Sequence, residues 1–180
     1  MKSRNCHYGT VAITIHWLSA LLIIALLGSG FRAANTENLV AKAQVLSVHA
    51  PLAIAILLLT LARIFWWWFA DTKPAPVEGM PKWQNFSARA VHFLFYVIIV
   101  GMVASGIGMF VLSGAGEIVF SGAEGQLPDF WEYKPRVPHG IGARIMVALF
   151  AVHAGVALFH HFIKHDGLLR RMWFWTGATQ

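Results

Sequence analysis

The sequence predicts an all-α integral membrane protein, a four-helix bundle with both termini cytoplasmic. Of its 180 residues, 57% are hydrophobic and only 12% are charged, whereas a water-soluble domain carries about a quarter charged residues. The mean hydropathy is +0.60. Four segments reach the roughly 20 apolar residues that a helix needs to cross a bilayer. These figures exclude disordered, collagenous and coiled-coil chains, and we interpret residues 1–180 as one transmembrane domain.

Each predicted span is a long apolar run between polar connectors. The spans are Val11–Phe31, Gln44–Phe69, Phe86–Leu112 and His139–Ile163. The connectors are Arg32–Ala43, a proline-bearing stretch at Ala70–Asn85 and a glycine- and acid-rich loop at Ser113–Pro138, and a tail begins at Lys164. The first span holds a histidine near its start, is longer than a signal-peptide core and precedes three further spans. We therefore interpret it as a mature helix.

The distribution of basic residues predicts the orientation, because cytoplasmic loops retain Lys and Arg. With the N-terminus inside, nine Lys and Arg residues lie on the cytoplasmic side and five lie outside. The five outer basic residues are balanced by five acidic ones, so the net charge of +6 lies on the inner face. That charge faces anionic membrane lipid. It makes a nucleic-acid partner unnecessary as an explanation of the high pI, and we expect a multi-pass protein of the bacterial inner membrane.

The only cysteine, Cys6, removes internal disulfides, Cys-based zinc sites, iron–sulfur clusters and covalent haem attachment from consideration. Nine histidines are present. Six lie within or at the ends of spans: His16, His49, His92, His139, His153 and His160. An ionisable side chain at membrane depth normally faces the bundle interior and has a partner. Interhelical hydrogen bonds are an equally good explanation for any one of them.

The spacing of four of these histidines suggests two pairs at two depths. His139 and His153 are 14 residues apart, which places them within about 40° of one helix face and roughly 21 Å apart along the axis. His16 lies near the cytoplasmic end of span 1, and His49 lies near the outer end of span 2. We therefore expect His16 to oppose His153 and His49 to oppose His139.

Two facing imidazoles suit the axial positions of a haem iron held edge-on in a helix bundle, whereas zinc requires four ligands at one depth. Glycines in or beside the spans would let a macrocycle approach the backbone, although they also serve ordinary helix packing. They are Gly28, Gly30, Gly101, Gly106, Gly108, Gly142 and Gly155.

Further polar residues lie near the inner pair. Arg63 follows His49 by 14 residues on the same face, where it would meet the propionates of an inner haem or snorkel to the membrane surface. His160 and Lys164 lie beyond His153 and would make a proton-accessible pocket, or an interfacial cluster with His161 and His165. Five tryptophans read as an interfacial belt: Trp66, Trp67, Trp68, Trp173 and Trp175.

At these residues the sequence resembles the bacterial cytochrome b561 family, the four-helix dihaem cytochromes b that include superoxide oxidase and the haem subunits of some hydrogenases and formate dehydrogenases. The matching stretches are "TIHWLSALLI", "VHAPLAIAILLLTLARI", "ARAVHFLFYVIIVGMVASG" and "PHGIGARIMVALFAVHAGVALFHHFIKHDGLLRRM". The resemblance covers nearly the whole chain except the loop at Ser113–Pro138.

The resemblance implies two haem b groups, with His16 and His153 ligating the cytoplasmic one and His49 and His139 the outer one. It makes Arg63 a propionate partner and places His92 near the inner haem without a clear axial role. Short standalone members pass electrons from superoxide outside to ubiquinone in the membrane. We expect this activity here, with His160, Lys164 and His92 supplying protons. A local patch of Arg32, Lys134 and Arg136 would have to collect superoxide, because the outer face is neutral in total.

Two alternatives remain at this stage. The chain would act as a haem anchor for a dehydrogenase or hydrogenase subunit if the Ser113–Pro138 loop is a docking surface for a partner redox subunit. A histidine-lined metal or proton transporter would also place polar residues at depth. Such a transporter would more naturally carry carboxylates within its spans, and the predicted spans contain none.

Overall fold

The computed structural model describes residues 2–3, 7–76, 79–121, 123 and 125–174. Cys6 and Trp175 therefore lie outside the described residues. The described chain is helical throughout its long apolar segments, and four helices are long and apolar enough to cross a membrane. The expected all-α, four-span architecture is confirmed.

The long helices begin and end where local chemistry requires it. Helix α1 covers Thr10–Asn35, and α2 covers Leu39–Phe65 and continues as a π-helical turn, Trp66–Ala70. The Asn38 side chain caps α2 by accepting from the amide of Ala41 at 3.0 Å. Helix α3 covers Lys82–Ser113 and stops at Gly114, whose φ of 68° suits a residue without a Cβ.

The connector between α3 and the last span is not a plain loop, as the sequence had suggested. It contains a short helix α4, Ala115–Ser121, and a 3-10 turn, Phe130–Glu132. Helix α5 covers Arg136–Phe159 and continues as a π-helical turn, His160–Lys164. A second 3-10 turn, Leu169–Met172, lies in the tail. Likewise, most of the predicted connector Arg32–Ala43 is helical, because α1 and α2 both extend past the apolar runs.

The long helices pack as two close pairs, α1 with α2 and α3 with α5, and α2 also contacts α3. A small apolar core joins them, formed by Ile23, Ile56, Ile99, Val103 and Met146. Most large apolar side chains outside this core are exposed, including Leu21, Leu58 and Val111. Such a surface is stable only where lipid surrounds it, because water would disfavour so much apolar area.

Both ends of the described chain meet at one end of the bundle, which we call the termini end. Ser3 donates from its amide and its hydroxyl to the Asp71 carboxylate, at 2.9 and 2.7 Å. Tyr8 donates its amide to the carbonyl of Arg171 at 3.2 Å, and the Trp17 indole donates to the carbonyl of Met172 at 2.8 Å. The opposite end carries α4, and we call it the loop end.

The Asp71 carboxyl at the termini end is tuned by these contacts. Burial opposes its ionisation, but the hydrogen bonds from Ser3, Thr72 and Trp66 outweigh that effect and lower its pKa. Three of the predicted belt tryptophans contact protein here: Trp66 donates to Asp71, Trp67 packs edge-on against Tyr8, and Trp173 packs edge-on against Trp17. Trp68 is exposed.

Candidate functional site

Two pairs of histidines face each other between the helix pairs, one near each end of the bundle. At the loop end, His49 of α2 and His139 of α5 have ring centroids 6.4 Å apart. At the termini end, His16 of α1 and His153 of α5 have ring centroids 6.1 Å apart. The rings of each pair are inclined by 65°. The structure thus brings together the residues that the sequence had paired by depth.

The spacing of each pair matches two imidazoles bound to one metal ion. With metal–nitrogen bonds of about 2.0–2.1 Å and about 1.1 Å from each nitrogen to its ring centre, opposed imidazoles hold their centroids about 6.2–6.4 Å apart. Both measured separations lie within about 0.1 Å of that range. Ring pairs that share no metal have similar separations, such as Phe159 and His160 at 6.1 Å, so the spacing is compatible with a shared metal ion but does not require one.

Hydrogen bonds involve Nδ1 in both rings of the loop-end pair. The Ser29 hydroxyl lies 2.7 Å from the carbonyl of Ala25 and 2.8 Å from Nδ1 of His49, and when its hydrogen goes to the carbonyl, its oxygen accepts from Nδ1. The Ser105 hydroxyl donates to the carbonyl of Met102, and its oxygen accepts from Nδ1 of His139 at 3.0 Å. With the hydrogen on Nδ1 in both rings, each Nε2 keeps a free lone pair for a metal.

Glycine makes room for one of these rings. A Cβ at position 30 would lie 3.2 Å from Cε1 of His49, which is closer than ordinary carbon contacts. At position 106 the corresponding distance to Cε1 of His139 is 3.5 Å, an ordinary contact. The backbone of α1 therefore approaches the His49 ring more closely than a side chain would allow.

A cavity adjoins the termini-end pair. Its volume is about 60 Å³, well below the roughly 300–1,000 Å³ of small-molecule and cofactor sites. Its walls come from four long helices, and residues lining it include His16, Thr60, Arg63, His92, Phe95, Phe150 and His153. An apolar cleft with a few convergent polar groups is the usual form of a cofactor site.

His92 and Phe95 of α3 both touch His153. Their ring centroids lie 5.3 and 5.6 Å from that of His153, each in an edge-on arrangement. Nδ1 of His92 donates to the carbonyl of Ala88 at 2.6 Å. His92 therefore directs its other ring nitrogen away from its own helix backbone. Its ring lies beside the termini-end pair and is closer to His153 than the His16 ring is.

Arg63 lies at the edge of the same cavity with part of its bonding capacity unused. Its Nη1 donates to Nδ1 of His16 at 3.3 Å. Its Nε is buried and has no hydrogen-bond partner among the described residues. A half-buried arginine with a buried, unpaired Nε is suited to an anionic group that the cavity would take up.

His160 and Lys164 lie outside this cavity. Within the described chain, no residue of the π-helical turn they belong to lines the cavity. His160 is only 7% exposed, and its Nδ1 is hydrogen-bonded to the Asp166 carboxylate. His165 makes this possible with a left-handed backbone, φ 52°, that turns the chain back. Lys164 and His165 are exposed.

The pKa of the Asp166 carboxyl reflects its contact with His160. Burial raises the pKa of its carboxyl, but the hydrogen bonds from His160 and from the Leu168 amide, and the charge of Lys164, lower it overall. This is the one ion pair found in the part of the chain that the structure describes. Sequence reasoning missed Asp166 because a chain reversal through a left-handed histidine has no clear sequence signal.

Sequence reasoning also missed Ser29 and Ser105. Serines in membrane helices commonly bond their own backbone, so neither differs in sequence from Ser19, which donates to the carbonyl of Ile15. One weak signal was available: each of the two precedes a glycine within a span. Arg63, by contrast, lies where its spacing from His49 had placed it, near the termini end.

Comparison with known proteins identifies one matching family and individual similar proteins. A family model described as prokaryotic cytochrome b561 matches residues 7–175. Cytochrome b561 homolog 2 of Escherichia coli (strain K12) is 26% identical over 181 residues, covering 92% of this chain and 90% of that protein. Probable superoxide oxidase CybB of Yersinia pestis is 27% identical over 173 residues, covering 92% of this chain and 94% of that protein. No solved structure matches the chain significantly.

Proposed function

Since this chain belongs to the prokaryotic cytochrome b561 family, we propose that it carries electrons from superoxide at the loop end to ubiquinone near the termini end. Transmembrane electron transfer is the activity of the family. The observation that carries the proposal is the pair of histidine pairs, each spaced for one metal ion and placed near opposite ends of a membrane bundle.

In this proposal the chain binds two haem b groups. His49 and His139 hold the loop-end haem, and His16 and His153 hold the termini-end haem. Haem supplies a one-electron couple at each site. Because two histidines would hold each haem iron, a substrate would not bind the iron, and the chain's own contribution would be to fix the two sites and to tune them.

Arg63 is the proposed partner of the propionates at the termini-end site. As it lies, it donates to Nδ1 of His16, which would leave the hydrogen on Nε2 and that nitrogen unable to bind a metal. Transfer of the guanidinium to a carboxylate frees His16 and gives the unsatisfied Nε an acceptor. The residues therefore fit a haem there, provided that Arg63 bonds its propionates.

Superoxide would be collected at the loop end. Arg136 begins α5, one turn before His139, and lies over the Trp131 ring at 4.3 Å. This contact holds a cation beside the ligand helix. With Arg32 and Lys134 it is the proposed patch that attracts the anion. We propose accordingly that the loop end faces the periplasm, and that both termini are cytoplasmic in a bacterial inner membrane.

Quinone reduction takes two electrons and two protons per quinone, so two superoxide ions are oxidised to two O₂ for each quinol formed. His160, Lys164 and His92 are the proposed proton donors. Support for His160 is its pairing with Asp166, whose carboxylate is 26% exposed while the histidine is buried. A buried histidine bonded to a carboxylate that reaches water can pass protons inward. Lys164 is exposed next to this pair.

The test uses purified protein in proteoliposomes, with superoxide generated outside and quinol formation followed. Wild type should reduce quinone, and His160→Ala and Lys164→Ala should reduce it more slowly, with the neighbouring His161→Ala as control. If wild-type haems are reduced by dithionite but no quinol forms from superoxide, the superoxide oxidase proposal is wrong. If the variants match the control, only the proton assignment is wrong.

A haem anchor for a partner redox subunit is the second candidate. The observation favouring it is the loop end itself, where the large aromatic side chains of Phe120 and Trp131 are more than half exposed on the α3–α5 connector. Exposed aromatic residues are typical of protein interfaces. Activity with superoxide and quinone in the absence of any other protein would exclude this candidate.

A further inference from the structure

We infer that Ser29 and Ser105 are positioning residues for the loop-end ligand pair, and that they set the loop-end haem at a lower midpoint potential than the termini-end haem. This inference rests on the proposed haem ligation. It concerns two serines and two glycines that belong to the helices lying beside each ligand, not to the ligand helices themselves.

The same device occurs in both helix pairs. In the α1–α2 pair, Ser29 bonds Nδ1 of His49, and Gly30 faces its Cε1. In the α3–α5 pair, Ser105 bonds Nδ1 of His139, and Gly106 faces its Cε1. Each ligand thus meets a Ser-Gly step on the neighbouring helix, with the hydroxyl at one ring atom and bare backbone at the next. Ordinary packing would not place two such steps on the same atoms of two opposed rings.

The hydrogen-bond directions give these serines a chemical effect. Nδ1 of His139 lies 3.1 Å from the carbonyl of Met102, which can only accept, so this nitrogen carries the hydrogen. At His49 the Ser29 oxygen accepts from Nδ1–H when the hydroxyl hydrogen is donated to the Ala25 or Leu26 carbonyl. An acceptor at Nδ1 fixes the ring orientation and makes the imidazole a more basic ligand through Nε2. A more basic axial ligand favours the oxidised iron and lowers its potential.

The termini-end pair has different surroundings. The Arg63 guanidinium lies at Nδ1 of His16, and in the proposed haem-bound state it bonds the propionates instead and remains a cation beside that site. A cation beside a haem favours the reduced iron and raises its potential. The loop-end site has a cation nearby as well, because Arg136 lies one turn before His139. The two sites differ in what lies against the ligand rings, serine hydroxyls at the loop end and the Arg63 guanidinium at the termini end, and this difference favours electron transfer from the loop end to the termini end.

The two serines are not equivalent. Nδ1 of His139 has a second acceptor, the carbonyl of Met102 at 3.1 Å. Within the described residues, Nδ1 of His49 is hydrogen-bonded to Ser29 alone. Removal of the Ser105 hydroxyl therefore leaves His139 an acceptor, and removal of the Ser29 hydroxyl does not provide His49 with one. We expect the larger effect from Ser29.

The experiment is a redox titration of purified Ser29→Ala, Ser105→Ala and Ser29→Thr, followed at the haem absorbance bands. Ser47→Ala is the matched control, because Ser47 lies in α2 near the same end and bonds only the carbonyl of Gln44 in the described structure. Ser29→Ala should raise one midpoint and leave the other unchanged, and the loop-end haem should dissociate about tenfold faster or more. Ser105→Ala should do the same to a smaller extent, and Ser29→Thr should restore the wild-type values.

The outcomes separate the two levels of the argument. Wild type with no haem would overturn the proposed ligation and this inference with it. Wild type with two haems, and Ser29→Ala indistinguishable from Ser47→Ala in both midpoints, would overturn the inference alone. Equal shifts of both midpoints would also overturn it, since a hydroxyl at the loop end should act on one site. If Ser29→Ala does not fold, the Ser105→Ala shift decides.

Discussion

Replacing Gly30 by valine should remove the loop-end haem and leave the other in place. A Cβ at this position would lie 3.2 Å from Cε1 and 3.8 Å from Nδ1 of His49. Ordinary carbon contacts begin near about 3.5 Å, so Ala pushes the ring back by about 0.3 Å. A binding constellation tolerates about 0.5 Å of displacement. Gly30→Ala should therefore weaken haem retention without abolishing it.

Valine should exceed this tolerance. It adds two methyl carbons about 1.5 Å beyond the Cβ, and in a helix its χ1 is confined largely to one rotamer, so the methyls cannot both turn away. Intrinsic helix propensity does not oppose the change, because Val is a better helix former than Gly. A loss of haem would thus report on the ligand and not on the stability of α1.

The assay is the ratio of haem to protein by pyridine haemochrome, with reduced-minus-oxidised spectra to identify the remaining site. Gly30→Val should bind about one haem per chain and wild type two. Gly28→Val is the matched control, because nothing lies within 4 Å of a Cβ at position 28. Two fully retained haems in Gly30→Val, with unshifted midpoints, would refute the close approach of α1 to a haem ligand.

Three further predictions follow from the other contacts. His153→Ala should lose the termini-end haem and keep the loop-end one, and His49→Ala should do the reverse; loss of the opposite haem in either variant, seen in difference spectra, would refute the pairing. Arg63→Leu should keep both haems and lower the midpoint potential of the termini-end haem alone, because a cation beside its propionates is removed. Two unchanged midpoints in a redox titration would mean that Arg63 only extends its charged group to the membrane surface. Asp71→Asn should free the N-terminal segment from the α2–α3 connector, measured as faster amide exchange at Ser3, with Asp129→Asn at the other end as control. Because the pKa of Asp71 is lowered in the folded state, its stabilising effect is present above its ordinary value near 3.8 and is lost as the pH falls through the lowered value; exchange at Ser3 that does not change across that range would contradict this assignment.

The parts of the fold that the sequence predicts are those that depend on regular spacing. Apolar run length locates the four spans, and a rise of about 1.5 Å per residue places His139 and His153 near opposite ends of α5. The same arithmetic places Arg63 at the termini end. These inferences need only that a long apolar segment be a straight helix.

The parts that spacing does not predict depend on how helices rotate against each other or on single backbone conformations. Ser29 and Ser105 reach the histidines only because α1 turns one face toward α2 and α3 turns one face toward α5. Asp166 returns to His160 through the left-handed His165. Helix α4 forms in a segment too short and too mixed in composition to show a clear period.

The hydrogen bond from Trp17 to Met172 is among the last contacts that a growing chain can make. Its acceptor follows its donor by 155 residues, which corresponds to roughly 8 to 30 s of translation at about 5–20 residues per second. During that interval the indole N–H of Trp17 in α1 does not yet have its acceptor, the carbonyl of Met172. A chain that is released before Met172 is added cannot form this hydrogen bond. Finished and unfinished chains therefore differ in whether the Trp17–Met172 hydrogen bond is present, and this is a difference that cellular quality control can detect.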